Sequence, residues 1–340
     1  MELRRSPHRQ KKEIIVFFIC CAIMLHVVCA AHAFPSQLIK VTFLSQVLGI
    51  ERSFNIYLPE GYNDGEEKYP VIYLFRGHED EWKDRGNIKE LVDNAITEGG
   101  IGKMIIVLPG LTFGENFVGF PVNLTNPGQP KEHDDIGSGK FEDYIIKDLI
   151  PYVDSNFKTI ADRSARALDG FSSGAYSSLF LALRHPELFV SVGSYDGNLG
   201  YLDFNNPSIP GELDDSMYLD TSLLDPYFGS PRDLAYMKQC NPANIIRDVS
   251  PEQLKLLKET RFFILSASEK AESAYIEGTY YPRVKQFVEL MESKGIMNYW
   301  KSDDVVMSPT ADHNWEYARL YIKATLPLHW KGFKKHNKRN

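Results

Sequence analysis

Cysteine is nearly absent from the part of the chain that can fold as a globular domain. Three of the four cysteines (Cys20, Cys21 and Cys29) lie within the first 33 residues, and only Cys240 follows them. A single cysteine cannot form an intrachain disulfide, so a disulfide scaffold is excluded and a large apolar core is expected instead. Cys240 also lacks the local signature of a cysteine nucleophile, which argues against thiol catalysis.

The chain also lacks a positive net charge. Its formal net charge is −7, and removal of residues 1–33, which hold five Lys/Arg and two Asp/Glu, would take it to −10. An acidic surface repels phosphate backbones, so we expect no nucleic-acid partner. The basic residues within 331–340 are interpreted as a solvated tail.

The first 33 residues are typical of a signal peptide. Five Lys/Arg residues precede an apolar run from Ile14 to Ala31, and a small-x-small sequence then favours cleavage before Phe34. Residues 1–33 are therefore predicted to be removed, leaving a secreted or periplasmic protein without stable membrane association. The alternative is an uncleaved membrane anchor, although the run falls slightly short of the roughly 20 residues that span a bilayer.

Strands and helices alternate along residues 34–330, which predicts one α/β domain. Its mostly parallel central sheet should be covered by helices on both faces. A segment of about 198–259, rich in Asp, Asn, Pro and Tyr, interrupts this alternation and is predicted to be a cap-like insertion. The predicted strands are Leu38–Gln46, Ser53–Leu58, Val71–Phe75, Met104–Leu108, Ala165–Leu168, Phe189–Ser194, Arg261–Ser266 and Asn298–Ser302. The predicted helices are Ile88–Glu98, Phe141–Phe157 with an interruption at Pro151, Gly174–Arg184, Tyr281–Ser293 and one that begins near Trp315.

A G-x-S-x-G pattern at Gly170, Ser172 and Gly174 is the sharpest motif in the sequence. A predicted strand ends just before it and a predicted helix begins just after it, which is the setting of a nucleophile elbow. The glycines would let the strand and the helix pack closely around a strained turn. Ser172 is therefore the predicted nucleophile, and the backbone N–H of Ser173 is a predicted oxyanion donor.

A serine nucleophile needs a general base and an acid that orients the base. His313 is the predicted base, because it lies between the last predicted strand and the terminal helix. Two positions for the acid preserve the order Ser…acid…His. The first choice is Glu269, in the loop after the strand that ends at Ser266, with Glu272 as a further candidate there. The alternative is Asp196, which follows the preceding strand, and the choice stays open.

The second oxyanion donor should come from the loop after the strand Val71–Phe75, where the backbone N–H of His78 is the candidate. The same loop contains the acidic run Glu79, Asp80 and Glu81. Consecutive residues are not expected to converge on one ion, and no second cluster accompanies them. No metal is therefore predicted.

Taken together, these motifs resemble the putative esterase (esterase D-like) family of α/β-hydrolases. That family includes feruloyl and acetylxylan esterases, enterochelin-type esterases and mycolyltransferases. The resemblance runs from about Phe54 to Leu326 and implies an acyl-serine intermediate without a cofactor. It is carried by the segments Tyr69–Leu74, Gly77 with Trp82, Lys103–Val107, Glu142–Tyr144, Leu149–Val153, Gly170–Gly174, His185-Pro186 with Phe189, and His313–Trp315.

The sequence departs from the family's pattern at three places. Arg76 stands where the family usually has His or Asp before the oxyanion glycine. Glu269 ends a Ser-Ala-Ser-Glu sequence where the family typically has Gly-x-x-Asp, and Asp196-Gly197 replaces a frequent Ser-Gly. The last two departures indicate either an acid that has moved to the preceding strand or weakened catalysis.

The predicted function is that of an exported serine carboxylic-ester hydrolase acting on a small-molecule or polysaccharide-linked ester. Trp82, Phe117 and Phe120 are predicted to shape its substrate pocket. Two alternatives remain: a secreted binding protein that kept the hydrolase fold and lost turnover, and an acyltransferase.

Overall fold

A seven-stranded sheet organises the computed structural model, which describes residues 34–113, 119–125, 135–197, 225–269, 280–300 and 304–337. The strand order is β1-β2-β4-β3-β5-β6-β7. β1 pairs antiparallel with β2, β2 pairs antiparallel with β4, and the remaining pairs are parallel. The mostly parallel sheet that the sequence predicts is thereby confirmed, while residues 1–33 lie outside the described residues. The strands are β1 (Gln37–Leu44), β2 (Glu51–Leu58), β3 (Val71–Phe75), β4 (Ile105–Pro109), β5 (Arg166–Gly170), β6 (Ser191–Tyr195) and β7 (Arg261–Leu265).

Both faces of the sheet are buried, as β3 illustrates. Val71, Tyr73 and Phe75 belong to one hydrophobic cluster, whereas Ile72 and Leu74 belong to another. Because side chains alternate between the two faces of a strand, both faces need apolar residues. This explains why the sequence of β3 is continuously apolar instead of alternating.

Helices cover the two faces of the sheet. The helix Ser173–Arg184 packs against β3, β5 and β6, and all its residues up to Leu183 are buried. Within the described ranges no helix is long and apolar enough to span a membrane. The α-helices are Glu81–Asp84, Ile88–Thr97, Phe141–Asp143, Ile150–Asn156, Ser173–Arg184, Asp225–Phe228, Leu234–Cys240, Pro242–Arg247, Pro251–Glu259, Tyr280–Ser293 and Trp315–Asn337.

Pro151 lies inside a helical stretch that is continuous, although an interruption was expected there. Two α-helical pieces flank a π-helical segment, Tyr144–Leu149, in which the backbone N–H of Ile150 donates to the carbonyl of Ile145. An interior proline lacks an N–H and crowds the carbonyl four residues earlier. The wider turn immediately before Pro151 accommodates it without ending the helix.

The predicted strand Asn298–Ser302 is wrong over its described residues. Asn298 forms only an isolated bridge with Phe262, and residues 301–303 lie outside the described ranges. The Asn298 side chain accepts from the N–H of Ile264 (3.0 Å) and donates to its carbonyl (2.9 Å). A side-chain amide therefore pairs with the edge of β7 where a strand backbone was expected.

The predicted tail 331–340 is helical as far as Asn337. The last helix, Trp315–Asn337, continues through this segment, and Phe333 is buried against the hydrophobic core. Of the predicted cap, residues 225–259 are described and form four short helices. Tyr227 of this segment packs against Phe120 with a ring-centroid distance of 5.2 Å.

A buried polar cluster fastens the last helix to the centre of the sheet. His329 Nε2 lies 2.9 Å from Asp169 Oδ2, and His329 Nδ1 lies 2.7 Å from Ser191 Oγ. Thr325 also donates to Asp169 (2.9 Å), and all four residues are almost fully buried. Since Asp169 immediately precedes Gly170 at the end of β5, the cluster supports the strand that carries the G-x-S-x-G motif.

Candidate active site

Ser172 occupies a strained turn between β5 and the helix Ser173–Arg184. Its backbone has φ 59° and ψ −120°, in a region that residues other than glycine rarely adopt. A Cβ atom on Gly170 would lie 2.2 Å from the Gly174 carbonyl oxygen, and one on Gly174 would lie 2.0 Å from the Phe75 carbonyl oxygen. Both glycines are therefore required by close backbone approach, as expected for a nucleophile elbow.

A short side-chain contact joins His313 to Asp196. Nδ1 of His313 lies 2.5 Å from Oδ2 of Asp196, whose side chain is fully buried. Oδ1 of the same carboxylate accepts hydrogen bonds from the Ser266 hydroxyl (2.9 Å) and the Ala267 N–H (3.0 Å). These two donors orient the carboxylate so that Oδ2 faces the imidazole. A carboxylate there favours a proton on Nδ1 and leaves Nε2 as the proton acceptor.

Ser172, Asp196 and His313 are carried by elements that meet at the carboxyl ends of β5, β6 and β7. The backbone N–H of Ser172 donates to the carbonyl of Tyr195 (3.0 Å), the residue that precedes Asp196. The Phe171 ring lies 4.8 Å from the His313 ring. Asp196 also adopts a positive φ of 53°, which aspartate tolerates better than most residues.

Glu269, the first choice for the acid, is exposed at the surface. The position beside Nδ1 of His313 is filled by Asp196, the alternative candidate, and not by Glu269. Glu272, the further candidate, lies outside the described residues. Asp196 lies beside His313 because β6 pairs with β7. This pairing brings the end of β6 next to the loop that contains His313.

The predicted oxyanion donors differ in their surroundings. The Ser173 N–H begins the helix after the elbow and donates no hydrogen bond within the described part of the chain. The His78 N–H donates to Oε2 of Glu81 at 3.2 Å. The predicted second donor therefore already has a carboxylate as its acceptor.

Arg76 is a site residue whose position the sequence did not reveal. Its guanidinium donates to the Ser173 Oγ (2.9 Å) and stacks over Phe171 (5.1 Å) and Trp315 (5.9 Å). A permanent positive charge therefore lies next to the residue after the nucleophile, where it favours negative charge. The departure from the family pattern at position 76 was the only signal for it.

Of the predicted pocket residues, Trp82 lies in the hydrophobic core. It is 1% exposed, and its indole N–H donates to the Phe75 carbonyl (2.9 Å), so it fixes the end of β3 from within the core. Phe120 is 2% exposed and packs edge-on against Tyr176 (5.3 Å). Phe117 lies outside the described residues.

The acidic loop brings together three groups that could hold a metal ion, contrary to the expectation that they would diverge. The ligand atoms of His78, Glu79 and Asp80 lie within 4.8 Å of one another. Lys40 pairs with Glu79 at 3.0 Å, and Lys83 pairs with Asp80 at 2.6 Å. Burial alone would raise the pKa of Asp80, but hydrogen bonds from Lys83 and a neighbouring amide lower it to about 2. Lysine ammonium groups therefore already pair with the carboxylates that would bind a metal ion.

Comparison with known proteins identifies related sequences over part of the chain. The sequence model of the family described as "Putative esterase" matches residues 45–208. An endo-1,4-beta-xylanase/feruloyl esterase of Xylanibacter ruminicola is 34% identical over 165 residues, which are 46% of this chain and 21% of that protein. An esterase of Mycobacterium tuberculosis is 29% identical over 155 residues, which are 46% of this chain and 31% of that protein. The chain therefore spans less than a third of the length of these curated relatives.

Solved structures resemble the whole fold. A ferulic acid esterase aligns with a TM-score of 0.68 and 20% identity, covering 88% of this chain and 99% of the other. An S-formylglutathione hydrolase from Agrobacterium tumefaciens aligns with a TM-score of 0.62 and 16% identity, covering 88% and 97%. These similarities establish the α/β-hydrolase fold that the motifs imply. The chain thus has the α/β-hydrolase fold, and its residues 45–208 match the sequence model of the putative esterase family.

Proposed function

We propose that this chain is an exported serine carboxylic-ester hydrolase with Ser172 as nucleophile, His313 as base and Asp196 as the orienting acid. The observation that carries the proposal is the 2.5 Å contact between Asp196 and His313, on elements that meet beside the elbow of Ser172. An elbow serine, an imidazole and a buried carboxylate in this order are the parts that acyl transfer requires.

Ester hydrolysis would depend on which nitrogen of His313 carries a proton at each step. Asp196 holds the proton on Nδ1 of His313, so Nε2 can accept the proton of the Ser172 hydroxyl as its oxygen attacks the ester carbonyl. The protonated imidazole then donates that proton to the leaving alcohol, and an acyl-serine forms. Water attacks this ester by the same steps in reverse, which releases the acid and restores Ser172.

The negative oxygen of each tetrahedral intermediate would be held by the backbone N–H groups of Ser173 and His78. The Arg76 guanidinium, 2.9 Å from the Ser173 hydroxyl, adds positive charge on the same side. Preorganised donors of this kind typically contribute a rate factor of about 10²–10³ each.

Esters of aromatic acids are the proposed substrate class. A feruloyl esterase is among the related sequences. A structurally similar ferulic acid esterase from Anaeromyces mucronatus was solved with ferulic acid bound, at a TM-score of 0.58 and 22% identity. A small-molecule or polysaccharide-linked ester of this class is therefore the substrate to test first.

The test combines a fluorophosphonate probe with a panel of esters, using the wild type and Ser172→Ala. The proposal expects labelling and hydrolysis by the wild type, loss of both in the variant, and the highest kcat/KM for feruloyl esters over acetyl-sugar esters. Labelling without hydrolysis would indicate an acyltransferase. Absence of labelling in the folded wild type would indicate a binding protein on the hydrolase fold.

Export is proposed from the basic and apolar pattern of residues 1–33. Expression of the full chain and mass analysis of the protein recovered outside the cytoplasm should give an N-terminus at Phe34. Recovery of the intact chain from membranes would instead support the uncleaved anchor.

A further inference from the structure

The Glu81 carboxylate is bonded to the loop that should bind the oxyanion. Oε2 of Glu81 accepts the His78 N–H at 3.2 Å, and the Glu81 N–H donates to the His78 carbonyl at 3.2 Å. The two residues therefore close a small hydrogen-bonded ring. The His78 N–H therefore already donates to a carboxylate oxygen of Glu81. The proposed mechanism assigns this same N–H to the negative oxygen of the tetrahedral intermediate.

Backbone contacts place this ring beside the nucleophile elbow. Gly174 packs so closely on the end of β3 that a Cβ there would lie 2.0 Å from the Phe75 carbonyl oxygen. Arg76, the next residue of the loop, donates to the Ser173 Oγ (2.9 Å). A Cβ on Gly77 would lie 3.5 Å from Oε2 of Glu81. The carboxylate thus lies against the short backbone segment that faces the elbow.

We propose that Glu81 is a positioning residue that occupies the His78 N–H in the free enzyme and must be displaced before the oxyanion can bind there. The inference rests on the proposed function, because it assigns the His78 N–H to the oxyanion. Two cations lie where a displaced carboxylate could pair more closely. Nε of Arg76 and a terminal nitrogen of Arg85 are each 3.8 Å from Oε1 of Glu81.

The charge and exposure of Glu81 suit this exchange. Its side chain is 22% exposed, so it can turn toward the two guanidinium groups without leaving a buried cavity. The carboxylate and the tetrahedral oxyanion are both negative oxygen acceptors, and they compete for one donor. A substrate must therefore supply enough binding energy to move the carboxylate, which disfavours small, weakly bound esters.

A simpler role for Glu81 predicts different behaviour. A glutamate that reaches back to a backbone N–H three residues earlier resembles the capping box at a helix start, and such a bond stabilises the turn. Gln keeps an oxygen acceptor for this bond but loses the negative charge, whereas Ala loses both. The two variants therefore separate turn stabilisation from competition with the oxyanion.

The experiment compares wild type, Glu81→Gln, Glu81→Ala and the control Asp84→Asn, whose carboxylate lies on the same short helix but is 63% exposed. Phenylboronic acid serves as the probe, because it forms an anionic tetrahedral adduct on the nucleophilic serine. The inhibition constant, kcat and KM for p-nitrophenyl acetate are measured, together with the thermal unfolding midpoint.

A charge-assisted hydrogen bond of this kind predicts about a tenfold lower inhibition constant and higher kcat for Glu81→Ala. Glu81→Gln should show about a threefold change in the same direction. KM should stay within about twofold, because the ester ground state does not need the His78 donor. Asp84→Asn should match the wild type.

Unchanged inhibition constants in both Glu81 variants would overturn the proposal, as would Glu81→Ala being slower while Glu81→Gln matches the wild type. In those cases the wild type still hydrolyses esters, so the proposed function stands. Hydrolysis that persists in Ser172→Ala would remove the proposed function and this inference with it.

Discussion

Replacing Asp196 by Asn tests which nitrogen of His313 carries the proton. The variant keeps the shape of a fully buried side chain and removes its negative charge. The Ser266 hydroxyl and the Ala267 N–H both donate to Oδ1, so the oxygen of the Asn amide should stay there. Its NH₂ group would then face Nδ1 of His313, where Oδ2 lies in the wild type.

An NH₂ group at that place can only donate, so Nδ1 must become an acceptor and the proton moves to Nε2. The imidazole then keeps its position and cannot accept the proton of Ser172. The same loss in a serine protease triad lowers kcat by about 10⁴, or about 5.5 kcal/mol of transition-state stabilisation. We expect a decrease of that order for Asp196→Asn, with KM nearly unchanged.

The assay is steady-state hydrolysis of p-nitrophenyl esters, normalised to folded protein by circular dichroism. Glu269→Gln is the matched control, since that carboxylate is exposed, and it should retain kcat within about twofold. A kcat of Asp196→Asn within tenfold of the wild type would refute the assignment. A large loss in Glu269→Gln would return the role of the acid to the loop after β7.

Three further predictions concern the fold. Gly174→Ala should lower the free energy of unfolding, measured by urea denaturation, by at least about 3 kcal/mol, because the new Cβ would lie 2.0 Å from a backbone oxygen. The control Gly65→Ala places its Cβ in open space and should change this free energy by less than about 0.5 kcal/mol. His329→Leu removes one partner of a buried pair and should destabilise the fold by about 3–5 kcal/mol. The double variant with Asp169→Asn should recover part of this loss. If the two substitutions instead lower the free energy of unfolding in urea additively, the pairing is contradicted. Burial raises the pKa of the Cys240 thiol to about 12, so iodoacetamide at about pH 8 should alkylate only unfolded protein, and rapid alkylation of the folded chain would refute the burial.

The sequence predicts the centre of the fold well, for a physical reason. The predicted strand Val71–Phe75 is the observed β3, because a strand buried on both faces needs a short apolar run that nothing else in the neighbourhood imitates. The elbow at Ser172 is likewise local, since the two glycines and the strained serine lie within five residues. Both the strand β3 and the elbow depend on residues that are close together in the sequence, so the sequence alone predicts them.

The acid could not be assigned in the same way. Asp196 and His313 are 117 residues apart, and their contact depends on how β6 pairs with β7 and on donors from Ser266 and Ala267. The false strand at Asn298 has a similar origin, because a side-chain amide pairs with the edge of β7 where the apolar pattern suggested a backbone. Both outcomes depend on tertiary contacts that a local pattern does not contain.

The buried polar cluster around His329 affects how catalytic sites are recognised with three-dimensional templates. Ser191, His329 and Asp169 reproduce a hydroxyl–imidazole–carboxylate chain with distances of 2.7 and 2.9 Å, but the carboxylate contacts Nε2 and the hydroxyl contacts Nδ1. A three-residue template matched on residue types and distances alone would therefore accept this cluster as a catalytic triad. The hydroxyl of Ser191 lies in a regular strand and is fully buried, whereas Ser172 lies on a bend with positive φ.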